Sequence, residues 1–68
     1  MNLSFYEFTR LPDEQQFNLV FLEGYFIESR ELGNSRYALY KLYNFFVEIE
    51  YNFSQNNIVG KIVFQNPT

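Results

Sequence analysis

Tyr25-Phe26-Ile27-Glu28-Ser29-Arg30-Glu31-Leu32-Gly33-Asn34-Ser35-Arg36-Tyr37-Ala38-Leu39-Tyr40-Lys41-Leu42 is the stretch that decides the fold. Its aromatic and β-branched residues recur with a period of two, and Gly33-Asn34 interrupts them with turn-forming residues. Successive side chains of a strand point to opposite faces, so this pattern predicts a β-hairpin. Setting Leu32 across from Ser35 pairs Glu31 with Arg36, Ser29 with Ala38, Ile27 with Tyr40 and Tyr25 with Leu42. Apolar residues then meet apolar residues, which specifies register in a half-buried sheet.

Working toward the C-terminus, a turn at Tyr43-Asn44 sets Leu42 against Phe45, Tyr40 against Val47 and Ala38 against Ile49. A loop at Ser54 to Asn57 pairs Phe53 with Ile58, Tyr51 with Gly60, Ile49 with Ile62 and Val47 with Phe64. Gly60 then lies under Tyr51, an aromatic shielding a weak strand residue. The expected strands are 25–31, 36–43, 45–53 and 58–65, and one apolar face runs across them. It comprises Tyr25, Ile27, Ala38, Tyr40, Leu42, Phe45, Val47, Ile49, Tyr51, Ile62 and Phe64.

Toward the N-terminus the period becomes helical. Ser4-Phe5-Tyr6-Glu7 has the Ser-x-x-Glu spacing of a capping box and predicts a short turn to about Arg10. Pro12 suits a first helical position, and Asp13 and Glu14 put negative charge at the positive end of the dipole. Phe17, Val20 and Phe21 form an apolar stripe before Gly24, a natural stop, so the main helix is expected at 12–23. The expected fold class is α+β in a single domain, 1–68: one or two short N-terminal helices packed on one face of a four-stranded antiparallel meander.

The opposite face follows by subtraction as three rows: Phe26, Lys41, Phe46, Gln65; then Glu28, Leu39, Glu48, Val63; then Arg30, Tyr37, Glu50, Lys61. Glu50 beside Lys61 is an expected surface ion pair, worth about 0–1 kcal/mol. A face open to water should be mostly polar, yet this one carries Phe26, Tyr37, Leu39, Phe46 and Val63, interleaved with Glu28, Glu48 and Glu50. These eight residues are the candidate protein interface, since contiguous exposed apolar area marks interaction surfaces. The competing reading is that single apolar residues among charges need no partner, or that the first helical turn or the C-terminal tail passes beneath. The last strand has only Lys61 to defend its edge and offers a second route to association.

Composition narrows the chemistry. The chain has no Cys and no His, which removes every imidazole- or thiolate-based triad, dyad and metal site. Only three glycines, at 24, 33 and 60, leave no phosphate-cradling loop. Glu28 and Glu48 on either side of Leu39 form a carboxylate pair of the kind that shares a proton or holds a hard cation. Their simpler role is to keep the face wet and discourage wrong stacking. Tyr37 or Tyr43 as a general acid would need a dry concavity that nothing in the pattern indicates. A net charge of −3 argues against contact with a nucleic acid backbone, which is bound by clustered Lys and Arg.

No cofactor is expected. Apolar runs are far shorter than the roughly 20 residues that span a bilayer, so no membrane contact is expected, and the lack of Cys and of a secretion signal points to the cytoplasm. On that reading Asn2-Leu3-Ser4 and Asn52-Phe53-Ser54 are chance glycosylation sequences.

Leu11-Pro12-Asp13-Glu14-Gln15, Gly24-Tyr25-Phe26-Ile27-Glu28-Ser29-Arg30, Leu39-Tyr40-Lys41-Leu42 and Phe45-Phe46-Val47-Glu48-Ile49 together resemble short uncharacterised bacterial proteins. Those proteins pair a helix with a Gly-x-Phe-x-x-x-Arg strand and a Leu-Tyr-x-Leu…Phe-Phe-Val-Glu-Val hairpin. The likeness covers about residues 5–64 and implies the same α+β architecture, with no activity or site attached.

The function expected from all this is a non-enzymatic interaction module whose partner is a protein, itself or another, with a homodimer the leading form. The alternative is an acidic inhibitor of a host or phage nucleic-acid enzyme acting through Glu28, Glu48 and Glu50. An enzyme ranks last.

Overall fold

The computed structural model describes residues 3–65. The sequence at Asn2 and the C-terminal tail beyond Gln65, each given a role above, therefore lie outside the described residues. Helix α1 spans Phe5–Thr9, and the expected capping box closes it. The Glu7 backbone N–H donates to Ser4 Oγ at 3.1 Å and the Ser4 N–H donates to Glu7 Oε1 at 2.9 Å. Ser4→Ala removes one acceptor from a helix too short to be stable alone. It should lower the urea unfolding free energy by about 1 kcal/mol.

Helix α2 spans Asp13–Glu23, one residue shorter than expected because Pro12 is its cap. Val20 is fully buried and Phe17 packs against the core, while Phe21 remains half out of it, edge-on to Tyr40 at 6.0 Å. Gln16, a residue with no obvious role in the sequence, is buried too. Its Nε2 donates to the Leu11 carbonyl at 2.8 Å, tying α2 to the connection that leads into it.

Four strands follow in spatial order β1-β2-β3-β4: β1 Tyr25–Leu32, β2 Ser35–Leu42, β3 Phe45–Asn52 and β4 Asn57–Phe64, all antiparallel. This is the expected α+β meander. Tight reversals use left-handed backbone at Gly33 (φ 62°), Tyr43 (φ 56°) and Asn56 (φ 56°). At Gly33 a side chain would strain the turn, since that region favours glycine. The expected pairing of β2 with β3 is reproduced in full, from Leu42 with Phe45 to Ala38 with Ile49. Both helices lie on the side of Tyr40, Leu42, Phe45, Val47 and Ile49, and the core of Phe8, Val20, Leu42, Phe45, Val47 and Ile49 forms there. Phe45 sits at its centre, with ring neighbours Phe8 at 5.1 Å and Phe5 and Tyr43 both at 6.1 Å.

Two bulges overturn the expected faces of the outer strands. Between Phe26 and Glu28 the register shifts, leaving Ile27 unpaired, so Phe26 opposes Tyr40 and Tyr25 opposes Lys41. Tyr25 and Ile27 are consequently exposed rather than in the core. Phe26 moves to the helix side, edge-on to Tyr40 at 5.6 Å.

At the other edge the four-residue loop sits one residue earlier than expected, at 53–56, pairing Tyr51 with Ile58 rather than Gly60, a change that preserves faces. The bulge that follows skips Val59 and does not preserve them: Glu50 meets Gly60, Ile49 meets Lys61, Glu48 meets Ile62, Val47 meets Val63 and Phe46 meets Phe64. One inserted residue exchanges inside for outside along everything beyond it. Val63 therefore joins the core periphery, whereas Ile62 and Phe64 leave the face on which they were expected. Gly60 is opposite Glu50, not under Tyr51.

Lys61 now points under α2. Its ammonium meets Asp13 Oδ1 at 3.0 Å and lies 5.5 Å from the centre of the Phe17 ring, so the expected Glu50–Lys61 pair does not form. The side chain solves its placement by laying its stem on apolar surface and carrying its charge to the helix start, where a carboxylate waits.

Candidate interaction surface

The helices cover one side of the sheet, and the registers define the other. Its first row is Tyr25, Lys41, Phe46 and Phe64; the second is Glu28, Leu39, Glu48 and Ile62; the third is Arg30, Tyr37, Glu50 and Gly60. Phe46 and Phe64 stack at 5.8 Å with 18° between their rings, an arrangement that the Val59 bulge creates by turning Phe64 outward. Ile62 is 60% exposed and Tyr25 73%. The face thus holds aromatic and aliphatic side chains interleaved with the charges of Glu28, Lys41 and Glu48.

Six of the eight sequence candidates are together here: Tyr37, Leu39, Phe46, Glu28, Glu48 and Glu50. The remaining two, Phe26 and Val63, belong to the helix side for the reasons given above. Three members were missed, Tyr25, Ile62 and Phe64. For Ile62 and Phe64 the available signal was Gly60, since an isolated glycine within a strand pattern points to a bulge; Tyr25 is turned out by the bulge at Ile27, which no glycine marks.

Charge on this face is organised internally. Arg30 reaches Glu48 at 3.7 Å and lies 5.3 Å from the centre of the Tyr37 ring. Ser35, itself buried, donates from its hydroxyl to Glu50 Oε2 at 2.6 Å. Glu48 therefore faces a guanidinium, which differs from the paired-carboxylate chemistry considered for Glu28 and Glu48. Among the described residues no group of three or more His, Cys, Asp or Glu is placed to hold a metal ion.

Concavities lie on the helix side. One of about 370 Å³ is walled by Leu3, Leu11, Leu19 and Leu22; its ionisable groups, Glu23 and Tyr43, bond to each other at 2.7 Å. That hydrogen bond, with slight burial and the carboxylate's charge, raises the Tyr43 phenol above its ordinary range. A general acid near neutral pH needs the opposite. A smaller slot of about 150 Å³ is lined by Phe21, Arg36, Ala38, Tyr40, Ile49, Tyr51 and Ile58. Its one charged group, Arg36, pairs with Glu31 at 2.7 Å.

Among the described residues no helix is long and apolar enough to cross a membrane. Comparison with protein-family models, with curated proteins and with solved structures gave no match, so what can be said of function comes from the surface itself.

Proposed function

We propose that this chain is a small non-enzymatic protein-interaction module of the cytoplasm that self-associates as a homodimer through its sheet, by the side that the helices leave open or by the last strand. The observation that carries this reading is the apolar content of the side that the helices leave open, Tyr25, Leu39, Phe46, Ile62 and Phe64, the last two on the edge strand β4. A chain of 68 residues without cysteine has few other supports for its stability, and a partner subunit is one of them. The inhibitor reading has no comparable support, because Arg30 offsets Glu48 and Ser35 engages Glu50.

Light scattering at micromolar concentration should give twice the chain mass. Phe46→Glu removes the ring on which Phe64 stacks and places a charge beside Glu48's row. It should weaken association by roughly tenfold or more, equivalent to about 1.4 kcal/mol for each factor of ten, while circular dichroism remains that of the parent. A monomer at every concentration tested would defeat the proposal.

A further inference from the structure

The two edges of the sheet are defended very differently. Strand β1 carries Glu28, Arg30 and Glu31 along an eight-residue strand and breaks its line with the bulge at Ile27. Charges and bulges of that kind keep other strands away. Among the described residues β4 pairs with β3 alone, and its single charged residue is Lys61. That charge is not available to guard the edge, because the side chain is only 15% exposed and is committed to Asp13. Strand β4 beyond its bulge is therefore an open row of backbone donors and acceptors flanked by apolar side chains. The chemistry that satisfies such a row is another extended strand.

We infer that the occupant is β4 of a second copy, paired antiparallel about a twofold axis that passes at Ile62, joining two four-stranded sheets into one of eight. The inference rests on the self-association proposed above and specifies its geometry. Three features favour this register. Ile62 meets its own counterpart, burying on each chain a side chain that is 60% exposed in the single copy. Gly60, above which a side chain would meet nothing within 4 Å, comes opposite the partner's Phe64. An aromatic across from an edge glycine is a recurrent way of shielding it. Lys61 comes opposite the partner's Val63, so the two ammonium groups are not set directly against each other, as they would be with the axis at Lys61. Identical contacts made in both directions are what a twofold interface requires. The stacked Phe46 and Phe64 of each copy then continue as one apolar band across the junction.

The chain lacks cysteine, so a single introduced thiol reports on one position. Residues directly opposite in an antiparallel pair have Cα atoms about 4.5–5.5 Å apart, within the range that a disulfide bridges. Ile62→Cys under mild oxidation should convert most of the protein to a covalent dimer at micromolar concentration. Glu28→Cys on the defended edge and Leu39→Cys in the middle of the open face should not. Equal cross-linking through Leu39→Cys would mean that the open faces stack, and would overturn edge pairing while leaving self-association standing. A parent protein that is dimeric by light scattering but whose folded Ile62→Cys variant stays uncoupled would do the same. A monomeric parent removes both proposals. Amide hydrogen exchange on the parent decides the matter should the Ile62→Cys variant not fold. Edge pairing predicts concentration-dependent protection of β4 amides with none gained on β1, and unchanged β4 protection would overturn it.

Discussion

Phe45→Ala should abolish the folded state at room temperature. The ring is fully buried and touches aromatic neighbours from α1 and from the turn before β3, so its removal empties the point where helix and sheet meet. Truncating a buried Phe to Ala costs about 3–5 kcal/mol through lost transfer and the cavity left behind. A single core in a chain of this size rarely supplies more than about 3–5 kcal/mol in total. The two magnitudes are equal, which is why loss of fold rather than a shifted midpoint is expected. Far-ultraviolet circular dichroism and urea titration measure it. Phe64→Ala is the matched control. Its ring stacks on Phe46 outside the core, and a pair of that kind contributes only about 0.5–1.5 kcal/mol beyond its buried area. That variant should unfold cooperatively at a lower midpoint. A cooperative transition in Phe45→Ala close to that of the parent would show that the core lies elsewhere.

Lys61→Glu should be the most damaging substitution of a charged residue, at roughly 2 kcal/mol, in the upper part of the usual range for point changes. It places a second carboxylate, in a site that is 15% exposed, against Asp13, and it removes the cation above the Phe17 ring. Lys61→Met keeps the stem on the apolar surface. Asp13 is 79% exposed and falls back on water, so losing the pair alone should cost under about 1 kcal/mol. Adding Asp13→Lys to Lys61→Glu restores opposite charges and should recover much of the loss. Neighbouring sites coupled in this way depart from additivity, and a double-mutant cycle in urea measures the departure. Additive behaviour of the two substitutions would show that Lys61 does not face α2 and would argue for the alternation without the second bulge.

That alternation is where sequence and structure part. The capping box at Ser4, the start of α2 after Pro12, the turns at Gly33 and Tyr43 and the whole pairing of β2 with β3 are local matters. Each is decided by residues within a few positions of one another, and the apolar pattern of β2 and β3 is consistent along its full length. The candidate surface was legible to the same extent: Tyr37, Leu39, Phe46, Glu48 and Glu50 lie on those two central strands, Glu28 pairs with Leu39 from β1, and all six stand where they were expected. Within the sheet the errors are confined to the outer strands, at Tyr25 to Ile27 on one side and at Gly60 to Phe64 on the other.

By itself the sequence determined the α+β class, the element order, the turns, the central register and the absence of imidazole and thiol chemistry, because periodicity and composition are properties of the chain alone. Only the tertiary structure decided which side Val63, Phe64 and Ile62 occupy. In β4 either alternation exposes some apolar residues, so the pattern is degenerate there. The choice fell to contacts between distant segments: Lys61 with Asp13 and Phe17, Val63 with the core, and Phe64 with Phe46. A one-residue bulge settles that choice because strand faces alternate with a period of two.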